Sequence, residues 1–280
     1  MGFTSDSGAI WILVGALIGL AVCSAGFHFD AWRGEYPMRW LLAALGVYMM
    51  LIIVAMSRIS MRIVNHAIEE AAANGIVGAN VTPYRARPPR RNLAIFCVGL
   101  YTAVEFFLPA TRLSGWLALA AAAALFNLLN DWHIGRVLFS RRPLMLYGVY
   151  LLMALGYALM GAALVFATGA LAGGFGAGRH LLAIGGVGLG IFAVMSIAGR
   201  AHCGQPFEMR RWLPLAVGLL AAAALARALV AWPGAEIQML WIAAGLLWIA
   251  AWGLFAWYMA PLFLAPRTDG LSGCKGTAIP

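Results

Sequence analysis

Residues 143–166 read PLMLYGVYLLMALGYALMGAALVF, with no charged side chain among them. At 1.5 Å of rise per residue a helix over this stretch is about 36 Å long. The hydrocarbon core of a bilayer is roughly 30 Å thick, so the segment is long enough to cross it. Seven more mostly apolar stretches read as spans. They run Ala9–Phe27, Trp40–Met56, Asn92–Leu108, Gly115–Leu129, His180–Ile197, Trp212–Trp232 and Gln238–Tyr258.

Composition agrees with this reading. Hydrophobic residues make up 63% of the chain and charged residues 10%, with a mean hydropathy of +0.87. A soluble domain carries about 25% charged residues because its surface faces water. A chain this poor in charge needs lipid over much of its surface. The expected fold is therefore all-α, a polytopic transmembrane bundle of about eight spanning helices, and residues 1–280 form a single domain.

The formal net charge is +9 and the pI about 10.0. The basic residues sit in short connections between apolar runs, which argues for topology-setting charge and against a nucleic-acid partner. Lys and Arg gather after spans two, four and six and in the tail: Arg58 to Arg91, Arg136 to Arg142, Arg200 to Arg211, then Arg267 and Lys275. The opposite face has only Arg33, Arg39, Arg112 and Arg179, and Arg227 lies inside span seven. The basic face is expected to be cytoplasmic. With eight spans both termini then lie on that side, in a bacterial cytoplasmic (inner) membrane. The first span reads as a retained helix, since Met1–Gly8 lacks the basic start of a signal peptide.

Two connections stand out. In 58–91, Ile59, Ile63, Val64, Ala67, Ile68 and Ala71 follow helical spacing, with Arg62, His66, Glu69 and Glu70 on the other face. This predicts an amphipathic helix on the cytoplasmic surface, or a continuation of span two, stopping at Asn74-Gly75. Pro83 to Arg91 is rich in Pro and Arg and is expected to be extended, facing anionic headgroups or an acidic partner. Gly173 to Gly178 reads as a flexible loop before span six. Gly15/Gly19 and Gly186/Gly190 have the GxxxG spacing that permits close helix contact. Cys23, Cys97, Cys203 and Cys274 form no CxxC pair, which argues against a disulfide framework.

Ionisable groups within lipid need a partner or a cavity. Glu105 and Arg227 are such groups. They read as a structural pair or as part of a site, and Arg227 also reads as a snorkelling side chain. His28 and His180 lie at one membrane depth with Glu105 nearby. Two histidines so placed can bracket a haem or hold copper; each also reads as an interfacial histidine. At the cytoplasmic face, His202-Cys203 and His66 with Glu69 and Glu70 offer metal donors, or else a turn and a surface ion network. Trp241, Trp248 and Trp252 share one face of span eight, as packing or as an interface belt. No phosphate-binding loop, CxxCH, HExxH or Ser/His/Asp set is present, which disfavours hydrolases, ATP-driven pumps and c-type cytochromes. No reaction is named by the sequence.

The second half also resembles a known family. His180-Leu-Leu-Ala-Ile-Gly-Gly, Met195-Ser-Ile-Ala-Gly-Arg-Ala-His202-Cys-Gly-Gln-Pro206, Tyr258-Met-Ala-Pro261 and Pro266-Arg-Thr-Asp-Gly270 are similar, in order and spacing, to motifs of the NnrS family of bacterial membrane proteins. Gly156-Tyr157-Ala158 matches a family Gly-Tyr-Ala, and Ser57-Arg58-Ile59 more faintly a Gly-Arg segment. The resemblance covers about the last two-thirds of the chain. The family's additional amino-terminal helices have no counterpart here, so the chain reads as a member shortened at that end.

The resemblance implies haem b and/or copper and a role in nitric oxide or metal-redox handling. It points to His180 and His202 as ligands, with Arg58 and Tyr157 in support; His28 and Glu105 join them from the depth argument above. The competing readings are a cofactor-free accessory subunit docked on a membrane partner, and a transporter of a small metal or metal complex with Glu105 and Arg227 along its path.

Overall fold

In a computed structural model, which describes residues 7–76, 82–166, 169–205, 210–268 and 270–271, the chain is built from helices, with no strand among those residues. Eight helices are long. They are α1 (Ser7–Trp32), α2 (Met38–Ala73), α3 (Pro88–Phe107), α4 (Arg112–Leu129), α5 (Arg141–Phe166), α6 (Gly174–His202), α7 (Trp212–Leu229) and α8 (Ile237–Leu264). Seven are long and apolar enough to cross a membrane. The eighth, α3, carries Arg90, Arg91 and Glu105 within its 20 residues. This is a membrane protein. Trp11, Trp257 and Leu264 are 72%, 78% and 86% exposed, a surface that only lipid covers at low cost.

Sequential helices pack as antiparallel neighbours, and α5 lies at the centre against α2, α4 and α6. Its Leu146, Tyr150, Met153 and Tyr157 are buried with Met49, Ile53 and Met56 of α2 and Phe192 of α6. By contrast α1 packs mainly on α2, and α8 mainly on α7. One of the two GxxxG pairs is used. A Cβ on Gly186 would meet Met153 and Met49 at 3.0 Å, whereas one on Gly15 would meet nothing within 4 Å.

Helix α2 has 36 residues, about 54 Å of helix, so it runs well past the bilayer core. The expected amphipathic segment is thus the continuation of span two. Its apolar face, Ile63, Val64, Ala67, Ile68 and Ala71, is buried in the protein rather than laid on a lipid surface. It stops where Asn74-Gly75 predicts. Gly75 has φ +69, and the amides of Gly75 and Ile76 bond back to the carbonyls of Ala72 and Ala71, the Schellman arrangement that a glycine at this position permits.

Two local expectations are corrected. The extended segment ends at Arg87, because Pro88 and Pro89 open α3, where a missing amide costs nothing. The glycine-rich stretch before span six is not a loop: Gly174 begins α6. A Cβ on Gly178 would collide with the Gly156 carbonyl and with Met160, so close packing against α5 holds this stretch helical against its weak propensity. Within α6, residues Leu181–Gly188 form a π-helical stretch, a widened turn rare outside functional or strained positions.

Candidate functional site

The two ends of the bundle differ in their cations, and the Arg-poor end contains a cavity of about 420 Å³ between α2, α3, α5 and α6. Its lining includes Arg39 and Gly46 of α2, Tyr101 and Glu105 of α3, Tyr157 and Met160 of α5, and Arg179 and Leu182 of α6. Gly156 and Gly178 set this geometry. Without side chains they let α5 and α6 approach, which places Tyr157 and Arg179 on one wall.

Glu105 is 6% exposed, and its carboxylate accepts from Arg179 Nη2 at 3.3 Å and from the Ala110 amide at 3.2 Å. Ala110 has φ 56, a left-handed conformation that costs an alanine about 1 kcal/mol, and the bond to Glu105 offsets this. Arg179 also lies over the Phe175 ring at 4.0 Å, and its Nε is buried without a hydrogen-bond partner. Arg39 is matched as well. Its Nε and Nη2 donate to Asp30 at 3.0 and 2.8 Å, and Trp40 Nε1 donates to the same carboxylate oxygen at 2.7 Å.

His180 follows Arg179, and successive helix residues point about 100° apart. It lies outside the cavity lining and is half-buried on the flank of α6 toward α7. There Arg227 comes close enough for its charge to act on the imidazole, as does that of Arg179. Arg227 in turn sits over the Trp241 ring at 5.6 Å. The expected Glu105–Arg227 pairing is therefore not made. Glu105 takes Arg179, and Arg227 takes no part in the cavity.

At the Arg-rich end the polar groups lock loops together. Asp131, with a side chain only 2% exposed, accepts from the Arg87 amide at 3.0 Å and from Arg90 Nη1 at 2.7 Å. Asn65 clamps Tyr84 through both its backbone groups, at 2.7 and 3.1 Å. The Tyr84 phenol is buried beside Trp132, which pushes its pKa up to about 12. Arg142 Nη1 bridges Glu70 at 2.8 Å and His66 at 3.2 Å, an ion network rather than a metal site. Thr268 donates to the Gly204 carbonyl at 3.0 Å and accepts from Gln205 at 3.2 Å. Gly204, at φ +72, closes α6 just after His202-Cys203. Two sequence motifs more than sixty residues apart, His202-Cys-Gly-Gln and Pro266-Arg-Thr, thus meet as one structure.

That meeting accounts for the order and spacing of these motifs, and a comparison of the whole chain with protein families places them. The family model described as NnrS protein matches residues 6–267. The chain belongs to the NnrS family. The match reaches back to residue 6, so α1 and α2 are family sequence too, beyond the two-thirds that the motifs cover. No curated protein and no solved structure matches the chain.

The residues singled out in this NnrS sequence fall into separate places. Tyr157 and Glu105 share the cavity. His180 is on its flank, and His202 is exposed at the other end of the same helix, about 33 Å away. Arg58 is exposed on α2. His28 is exposed on α1, which packs along α2, so the structure does not bring it against His180. Among the described residues no three His, Cys, Asp or Glu side chains come together as metal ligands. Copper does not fit this donor set, because the charges beside His180 are guanidinium groups that repel a cation. Haem fits better: an imidazole nitrogen for iron stands next to the Arg227 guanidinium, a cation that suits a carboxylate side group.

Sequence reading missed Tyr101, Asp30, Arg39 and Arg179. Tyr101 is four residues before Glu105, on the same helix face, so that spacing pointed to it. Arg179 was the nearest cation in depth to a carboxylate that needed one, but was counted only as a loop charge.

Proposed function

We propose that this NnrS protein is one transmembrane domain of a bacterial cytoplasmic membrane. Its termini and Arg-rich end lie in the cytoplasm, and it binds haem b near the outer face through His180. The excess of Lys and Arg on one side supports the orientation. The single observation supporting the ligand is the half-buried His180 with Arg179 and Arg227 as its neighbouring charges. His180 would donate a nitrogen to the iron, and the Arg227 guanidinium would pair with a propionate, Arg179 being held by Glu105. Trp241, beneath Arg227, would hold that side chain in place. Bound haem supplies one-electron chemistry and a position for a small diatomic ligand, in keeping with a role in nitric oxide or metal-redox handling.

The test is an absorption spectrum of the detergent-purified protein, oxidised and dithionite-reduced, with haem and metal quantified on the same sample. A Soret band at near-stoichiometric haem is expected, with its loss in His180→Ala. A flat spectrum from folded protein overturns the proposal and favours the cofactor-free accessory subunit, to be sought by co-purification with a fixed membrane partner.

A further inference from the structure

The cavity at the Arg-poor end holds polar groups that nothing in the protein satisfies. Tyr157 is 1% exposed and Tyr101 6%; their rings meet edge to face at 5.3 Å. Among the described residues neither phenol hydroxyl makes a hydrogen bond, although buried hydroxyls normally find a partner. Arg179 Nε, on the same wall, is buried and unpaired as well. Two phenol donors therefore line one largely apolar space, within the usual range for small-molecule sites of about 300–1,000 Å³.

The charges select among ligands. Each guanidinium at the cavity already has a carboxylate, Glu105 for Arg179 and Asp30 for Arg39. With those pairs balanced, an anion gains little and would displace an existing partner. A neutral molecule with acceptor oxygens uses the idle donors at no such cost. The remaining lining is aromatic and aliphatic, including Phe106, Met160 and Leu182, which suits a flat ring with an apolar tail. Tyr36, 78% exposed, marks where the space reaches the surface.

We infer that this cavity binds a quinone, a neutral ring whose carbonyl oxygens accept from Tyr157 and Tyr101. The site is separate from the His180 flank and does not rest on the haem proposal.

Isothermal titration of the detergent-purified full chain with a short-chain ubiquinone tests the inference, with decanoate as the anionic alternative. Saturable binding at one site per chain is expected. Tyr157→Phe removes one hydroxyl and keeps the ring, and should weaken binding about five-fold. Ala43→Phe, which fills the cavity from α2, should abolish it. His180→Ala should leave the affinity unchanged, separating this result from the fate of the haem. Each variant is first shown to melt like the parent. Absence of saturable binding overturns the inference. So does equal affinity in Tyr157→Phe and Ala43→Phe. Decanoate that binds more tightly than the quinone and displaces it overturns it in favour of an anionic lipid site.

Discussion

The two ends of α6 carry similar residues and use them differently. Where the helix begins, Arg179 and His180 stand beside space: a cavity on one flank and a half-open surface on the other. Where it ends, His202 and Cys203 stand beside a turn that is tied down, with Thr268 bonded across to Gly204 and Gln205. A histidine next to a charged or thiol-bearing neighbour reads the same in both places along the sequence. What separates them is whether the surrounding donors already have acceptors. At the Arg-rich end Arg87, Arg90, Asn65 and Thr268 have partners, which makes fastenings. Only Trp132 Nε1 among the described buried side-chain atoms of that cluster lacks one. At the other end Tyr101, Tyr157 and Arg179 Nε have none, which makes a site.

The contrast can be tested first where fastening is strongest. Asp131→Ala leaves Arg87 and Arg90 without their carboxylate, and should lower stability by about 2–3 kcal/mol, read as a drop in the melting midpoint of the detergent-solubilised protein. Gly178→Ala is next. Its Cβ has no room against Gly156 and Met160, so it should push α5 from α6 at about 1–3 kcal/mol. It should also damage ligand binding at the cavity, which Asp131→Ala should not.

Alkaline titration probes the same fastening from another direction. Burial raises the Tyr84 pKa to about 12, above its ordinary value of 10.0. The protonated phenol is the form the fold prefers, so its contribution is complete below pH 10 and is lost as pH rises from 10 to 12. The loss across that window should be about 2–3 kcal/mol, and Tyr84→Phe should flatten it. Thr268→Val should cost least, about 0.5–1 kcal/mol. If Thr268→Val instead removed a bound chromophore while the fold survived, the division between fastening end and binding end would fail.

How much of this could be read from the chain follows the physics of each part. Spans were legible because lipid demands long apolar runs, and the end of α2 because Asn74-Gly75 has one favourable geometry. The glycine-rich start of α6 was not, since its helix depends on contact with Gly156 of another helix, which no local pattern encodes. Tyr157 was found through a motif and Glu105 through its cost in lipid. Their meeting in one cavity depended on the α5–α6 approach and on Arg179, whose place beside Glu105 is a matter of three dimensions. The pairing of Arg87 and Arg90 was not legible, because their acceptor, Asp131, lies some forty residues further along.

The most direct test is a reduced-minus-oxidised difference spectrum on the parent, His180→Ala and His202→Ala proteins, purified in parallel and matched for fold by melting. The account predicts a haem signal in the parent and in His202→Ala and its loss in His180→Ala alone. A signal that survives in His180→Ala and disappears in His202→Ala would place the binding end on the wrong side of the membrane and contradict it.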